Sequence, residues 1–359
     1  METMMQILAR ELGRSQRHVE NVVSLLDEGN TIPFIARYRK ELHGSMDDTT
    51  LRALEERLQY LRNLEKRREE IKSAIEGQGK LTDELSTAID AAATLSEAED
   101  LYRPYKQKRR TRATAAREKG LEPLAALLYA QRPDCPDPLE AAAGYIDPEK
   151  GVETAEDALQ GASDIIAEDI SDDAGVRRVL RTYMLQSSVM ESTAVKEEDS
   201  VYRLYYGFRQ NVSRLQGHQV LAVNRGEREA FLKVSLITDR EAALVLLRRA
   251  VLRPGSRAGD FIRTAAADAY DRLLYPSLER EVRNCLTDEA SEGAIRNFAL
   301  NLRPLLMQPP VKGRVTMGLD PGYRMGCKVA VVDGTGKVLD TTVVYPTHGE
   351  RKKAECIAE

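Results

Sequence analysis

Leu51, Leu54, Leu58, Leu61 and Leu64 fall at spacings of three or four residues behind Asp47-Asp48. That spacing keeps the leucines on one face of an α-helix, Arg, Glu and Lys fill the other, and the aspartates supply an N-terminal cap. The run lasts to Gly77-Gln78-Gly79, which makes a long amphipathic helix the organising element of the first half. Its stripe packs within the chain or serves as a coiled-coil partner surface, and internal packing is the simpler reading. Ile7, Leu8 and Leu12 mark a short helix before it, ending near Gly13, and Val19, Val22, Val23 and Leu26 continue to Gly29-Asn30. A further segment, Thr31 to Lys40, places Pro33 in a first turn, where its missing amide costs nothing. Short helices with tight breaks resemble a helix-turn-helix bundle, and a plain three-helix core accounts for them equally well. Thr82, Ser96-x-x-Glu99, Thr154-x-x-Asp157 and Asp172-Asp173 read as caps of later helices.

The pattern changes at Gly217. Gln219 to Val223 and Phe231 to Ile237 read as a β-hairpin turning through Asn224-Arg225-Gly226-Glu227. Helical spacing resumes at Glu241 and continues to Leu306, with breaks expected at Pro254-Gly255 and Tyr275-Pro276. Near the end, Val315 to Asp320 reads as a buried strand delivering a carboxylate to a Pro321-Gly322 turn, and Cys327 to Asp333 as a strand running back. Folds of the ribonuclease H kind open this way, as do actin-like ATPases. The expected fold is therefore mainly α, with a helix-turn-helix-like part and a β-hairpin, followed by the start of an α/β ribonuclease H-like domain. The expected divisions are 1–200, 201–312 and 313–359. Because the chain stops at Glu359, short of completing such a domain, it reads as the front part of a larger protein.

Composition narrows the function. Aromatics make up 5% with no Trp, which excludes wide stacking platforms for bases. A net charge of −4 means that any nucleic-acid site must come from local clustering. The four cysteines are far apart, without a C-x-x-C pair, which argues against a disulfide framework and a local zinc site and for a reduced, cytoplasmic setting. The N-terminus does not read as a signal peptide, and no apolar run is long enough to span a bilayer.

The densest cationic run is Arg103, Lys106, Lys108, Arg109, Arg110 and Arg112, interleaved with Tyr102 and Tyr105 and followed by Arg117 and Lys119. Such a run suits phosphate contact, with a Tyr face free to stack on a base. Its alternative is a solvated loop paired with Glu97, Glu99 and Asp100. Arg37, Arg39 and Lys40 are a second, smaller candidate. Asp320 is the candidate catalytic and metal-binding residue, since a first-strand carboxylate can coordinate Mg²⁺ in two-metal phosphoryl chemistry. That chemistry needs further carboxylates from a complete domain, so no cofactor is expected of this chain. Asp333 has a structural role available in the Gly334-Thr335-Gly336 turn. The histidines are scattered, and neither a Walker loop nor a Rossmann fingerprint is present.

Leu26-Asp27-Glu28-Gly29-Asn30-Thr31-Ile32-Pro33-Phe34-Ile35-Ala36-Arg37-Tyr38-Arg39-Lys40-Glu41 closely resembles the N-terminal signature of the Tex family of bacterial transcription accessory proteins. So do Glu99 to Lys106, Gly120 to Ala125, and Met317-Gly318-Leu319-Asp320-Pro321-Gly322-Tyr323-Arg324. The resemblance implies a helical N-terminal region with a helix-turn-helix-like part, then a YqgF-type ribonuclease H-like domain. Helix-hairpin-helix elements and an RNA-binding OB-fold follow in the family. It implies RNA or DNA as partner, in support of transcription and without catalysis by this chain. Rival readings are a Mg²⁺-dependent nuclease using Asp320 in the full-length protein, and a scaffold docking RNA polymerase or ribosomal components. The sequence leaves RNA against DNA, and the oligomeric state, open.

Overall fold

A computed structural model describes residues 3–346 except 107, 108, 197, 310, 311, 323 and 324, together with 354, 356 and 357. Lys108 and the turn residues Tyr323 and Arg324 lie outside the described residues. The chain divides into two compact units, Met1–Asp288 and Glu289–Glu359.

Unit one opens with α1 (Met4–Leu12), α2 (Gln16–Asp27), α3 (Ile32–Tyr38), α4 (Lys40–His43) and the long α5 (Asp48–Glu76). Asp47 caps α5 through the amide of Thr50 at 2.8 Å, as its sequence indicates. The α5 leucines are all buried: Leu51 to Leu61 close a core with Leu8, Val19, Val22 and Ile35. Further along, Leu64, Ile71 and Ile75 close a second core with Ile89 and Ala98 from α6 (Asp83–Ala91) and α7 (Leu95–Tyr102). The stripe is thus consumed inside the chain. Gly29 turns α2 into α3 at φ 84°, a left-handed conformation open to Gly at little cost.

The cap of α7 differs from the sequence expectation. Thr94, not Ser96, accepts from the Glu97 amide at 3.2 Å, and the Glu97 carboxylate accepts from Ala93 N–H at 2.7 Å. Ser96 and Glu99 sit inside the helix. The two Thr/Ser-x-x-Glu patterns overlap, and the helix takes the earlier one because Leu95 and Ala98 then face the core.

A 3₁₀ turn at Arg103–Tyr105 leads through the basic loop into α8 (Arg112–Glu118), α9 (Glu122–Tyr129), α10 (Pro138–Ala143), α11 (Ala155–Asp172) and α12 (Ala174–Ser187). A buried ionic cluster ties this layer down. Arg177, fully buried, donates to Asp100 at 2.7 Å and to Glu281; Arg181 donates to the second Asp100 oxygen at 2.7 Å and to Glu281 at 2.8 Å. Each charge is paired and hydrogen-bonded, the condition under which buried ions are tolerated.

The expected hairpin does not form, and of its two strands only the second is present. Residues 217–228 are helical (α13, Gly217–Arg228), and an antiparallel sheet of order β2-β1-β3 joins β1 (Val189–Ala194), β2 (Phe208–Asn211) and β3 (Leu232–Ile237). Val220, Val223 and Gly226 are the buried face of α13, a three-residue spacing that decides for helix over the alternation read from the valines. Gly226 sits under β3, where a Cβ would lie 2.6 Å from Leu232 Cδ1. The outer edge of β3 is not left open: Leu236 N–H donates to Glu279 at 2.9 Å and its carbonyl accepts from Tyr275 O–H.

α14 (Arg240–Val251) and α15 (Gly259–Asp268) flank the expected break at Pro254-Gly255. The break expected at Tyr275-Pro276 is absent. A π-helical segment, Ala269–Leu274, runs directly into α16 (Tyr275–Leu306), and Pro276 falls in its first turn. The distal part of α16, in unit two, exposes Ile295, Phe298 and Leu305.

The sheet of unit two runs β4-β5-β6, all antiparallel: β4 (Thr316–Asp320), β5 (Cys327–Val332) and β6 (Val338–Val344). β4, expected buried, is exposed along its length, because the described residues supply no layer to cover it. Asp333 holds the β5–β6 turn by accepting from Thr335 N–H at 2.8 Å and Lys337 N–H at 3.0 Å.

Candidate nucleic-acid interface

The basic run divides into spent and available charges. Arg103 is bound to Asp172 at 3.0 Å. Lys106 is bound to Glu99 and lies 5.5 Å from the Tyr102 ring centroid. Burial alone would raise the Glu99 carboxyl, but hydrogen bonds from Lys106 and Arg67 outweigh it and leave the group below its ordinary value. Of the expected acidic partners, only Glu99 meets the run; Glu97 caps α7 and Asp100 serves Arg177 and Arg181.

Arg109, Arg110 and Arg112 are exposed. Arg110 reaches Glu118 at 2.9 Å, but both side chains are mostly in water, 75% and 55% exposed, where such a pair contributes little. Arg109 and Arg112 meet no acidic partner among the described residues. Thr111 fixes the segment by accepting from Thr114 N–H at 3.0 Å, so Arg112 starts α8 at a defined place. Tyr102 and Tyr105 are not free platforms. Both pack against the core around Leu64, Ile71 and Ile75.

Behind the loop lies a cleft of about 610 Å³ between Lys106, Thr114, Arg117 and the acidic end of α11, Glu168, Asp169 and Asp172. Arg117 pairs with Glu168 at 2.6 Å and Asp169 at 2.8 Å, and Lys119 donates to the Gly151 carbonyl at 2.8 Å. Carboxylates outnumber cations along this lining, so the floor of the cleft is net acidic.

The smaller cluster differs in kind. Arg37 and Lys40 are exposed, while the Arg39 guanidinium lies 5.2 Å from the Phe34 ring centroid and donates to the Tyr38 carbonyl at 3.2 Å. Tyr38, 56% exposed, stands beside Phe34 with ring centroids 5.2 Å apart. An exposed ring next to two exposed cations has the chemistry of a stacking surface.

Asp320 ends β4 with Lys328 directly across the strand pair. Among the described residues no three His, Cys, Asp or Glu side chains converge as a metal site. One exposed carboxylate opposite an ammonium does not fit a two-metal donor set. The following turn is closely built: a Cβ on Gly322 would lie 2.6 Å from the Gly326 carbonyl oxygen.

The Arg177 cluster escaped sequence reading because its partners Asp100 and Glu281 are 77 and 104 residues away, with no local signal.

Comparison with known proteins places most of the chain in one family. Residues 2–76 match the Tex-like protein N-terminal domain, 134–298 the Tex central region-like family, and 314–359 the Tex protein YqgF-like domain. The chain belongs to the Tex family. It is 41% identical to the transcriptional accessory protein Tex of Neisseria gonorrhoeae, over 95% of this chain and 46% of that protein. An uncharacterized protein of Bacillus subtilis, YdcI, is 46% identical over 95% of this chain and 48% of its own length. The human S1 RNA-binding domain-containing protein 1 is 34% identical over 95% of this chain and 36% of its own length. The chain thus spans about half the length of the bacterial relatives it matches. No helix among the described residues is long and apolar enough to cross a membrane.

Proposed function

We propose that this part of a Tex-family protein binds nucleic acid through its phosphate backbone, in support of transcription in the cytoplasm, and does no catalysis itself. The observation that carries the reading is the pair Arg109 and Arg112, exposed and without an acidic partner among the described residues, with Arg112 opening α8. Arg110 joins them because its surface pair with Glu118 exchanges readily for phosphate. Arg103 and Lys106 hold the loop in place through Asp172 and Glu99 and are secondary contacts; Arg37, Arg39 and Lys40 form a separate contact. Relatives named for transcription accessory function and for an S1 RNA-binding domain support the ligand class.

The test compares wild-type chain with Arg109→Gln/Arg110→Gln/Arg112→Gln for labelled single-stranded RNA and duplex DNA at fixed low salt. The variant binds more weakly on every sequence, because phosphate contacts carry no base information. Equal affinity in wild type and variant contradicts the proposal.

The similarity of residues 314–359 to a YqgF-like domain favours one other reading, a nuclease in the complete protein. It predicts Mg²⁺-dependent cleavage that Asp320→Asn abolishes; wild-type and variant full-length proteins equally inactive would refute it.

A further inference from the structure

Between Ala242 and Gly259 the chain carries Arg248, Arg249, Arg253 and Arg257 and no acidic residue. The arginines span the end of α14 and the Pro254-Gly255 loop. Gly255 turns that loop at φ 84°, with open space where a Cβ would stand.

A second, distant segment is fastened beside them. The buried Gln131 side chain donates to the Val251 carbonyl at 2.8 Å and accepts from Arg253 N–H at 2.9 Å. Arg253 Nη1 returns a bond to the Ala130 carbonyl at 3.1 Å, and Cys135 is hydrogen-bonded to Ser256. These bonds bring Arg132, exposed, alongside the loop. Arg132, Arg249, Arg253 and Arg257 are all exposed and meet no acidic partner among the described residues, and the Nε of Arg248 is buried without a hydrogen bond.

We propose that this arginine loop is a second phosphodiester-binding patch. The inference rests on the nucleic-acid reading above and adds a separate place where the ligand is held. Every cation in the patch is Arg, whose planar fork matches phosphate oxygens bidentately and stays charged at any working pH. The described loops expose no aromatic ring or large apolar side chain, so base stacking and a protein-type hydrophobic contact are both without a footing here. Backbone contact without sequence preference is the chemistry that remains.

The cleft beside the basic loop adjoins another of about 580 Å³, and both are lined by Glu122, Tyr129, Asp169 and Asp173. The first is bounded by Lys106 and Arg117, the second by Arg253. Cations therefore occur at both ends of an acidic trough. A strand that touches both ends is held away from the carboxylates between them.

The experiment measures binding of a labelled single-stranded RNA across a salt series for Arg132→Gln/Arg249→Gln/Arg257→Gln. These side chains hold no partner in the fold, so thermal unfolding is expected to match wild type. Losing three phosphate contacts should make the log–log salt slope shallower by about 2. The corresponding Arg→Lys variant keeps the charge and should keep the slope while binding less tightly. An unchanged slope in the Gln variant, where Arg109→Gln/Arg110→Gln/Arg112→Gln does weaken binding, overturns this inference alone. Failure of the wild-type chain to bind at low salt overturns the nucleic-acid reading and this inference with it.

Discussion

Glu99 shows how one side chain sets the reach of a cationic loop. It holds Lys106 and Arg67 together, and those bonds keep its carboxyl below the ordinary value of 4.5 despite partial burial. A carboxyl depressed in the folded state lends stability that is fully present above its unfolded value and lost as pH falls through the folded one. Glu99→Gln should therefore lose stability relative to wild type at neutral pH, with the difference shrinking below about pH 4. Denaturant titrations at pH 7 and pH 3 check this, and a constant difference would refute it. A second residue-scale prediction concerns the cap of α7. Thr94→Ala should cost about 1 kcal/mol and Ser96→Ala only a few tenths, measured by urea unfolding. The reverse order would return the helix start to Ser96.

At the scale of elements, the Arg177 cluster and the α13–β3 contact are the points most open to test. Asp100→Ala leaves two guanidinium groups short of a buried partner and should destabilise unit one by about 3–5 kcal/mol. Gly226→Ala places a methyl against Leu232 and should cost about 1–3 kcal/mol by overpacking. A neutral Gly226→Ala would argue against the helix. The elements legible in sequence were those whose signal is local: the α5 stripe with its Asp47 cap, the Gly29 turn, the Thr154 capping box and the β5–β6 turn at Asp333. Residues 217–228 misled because Val and Leu suit strand and helix alike, and only the packing of Gly226 under Leu232 separates them. β1 and β2 carry no clear alternation in sequence, and β1 is flanked by β2 on one side and on the other by β3, which arrives from beyond a long connection.

At the scale of the whole molecule, acidic net charge and nucleic-acid binding are compatible because the charges are segregated. Acids concentrate at the end of α11, where they anchor Arg103 and Arg117, and the free arginines lie outside that floor. The candidate site was legible in sequence as a run of cations. Which of them are committed was not, since Asp172 and Glu168 lie 69 and 51 residues from the arginines they bind. The family match and the resemblance agree at residues 26–41, within the N-terminal match, and at 317–324, within the YqgF-like one, while the block from Glu99 to Ala125 lies between the matched regions. The central claim, that this half of a Tex-family protein holds phosphate by itself, is tested most directly by fluorescence anisotropy of the wild-type chain with single-stranded RNA across a salt series. The account predicts binding at low salt with a log–log slope of about −2 or steeper, at roughly −0.7 per neutralised phosphate. Absent binding, or binding that ignores salt, would contradict it and leave this half as a protein-docking scaffold.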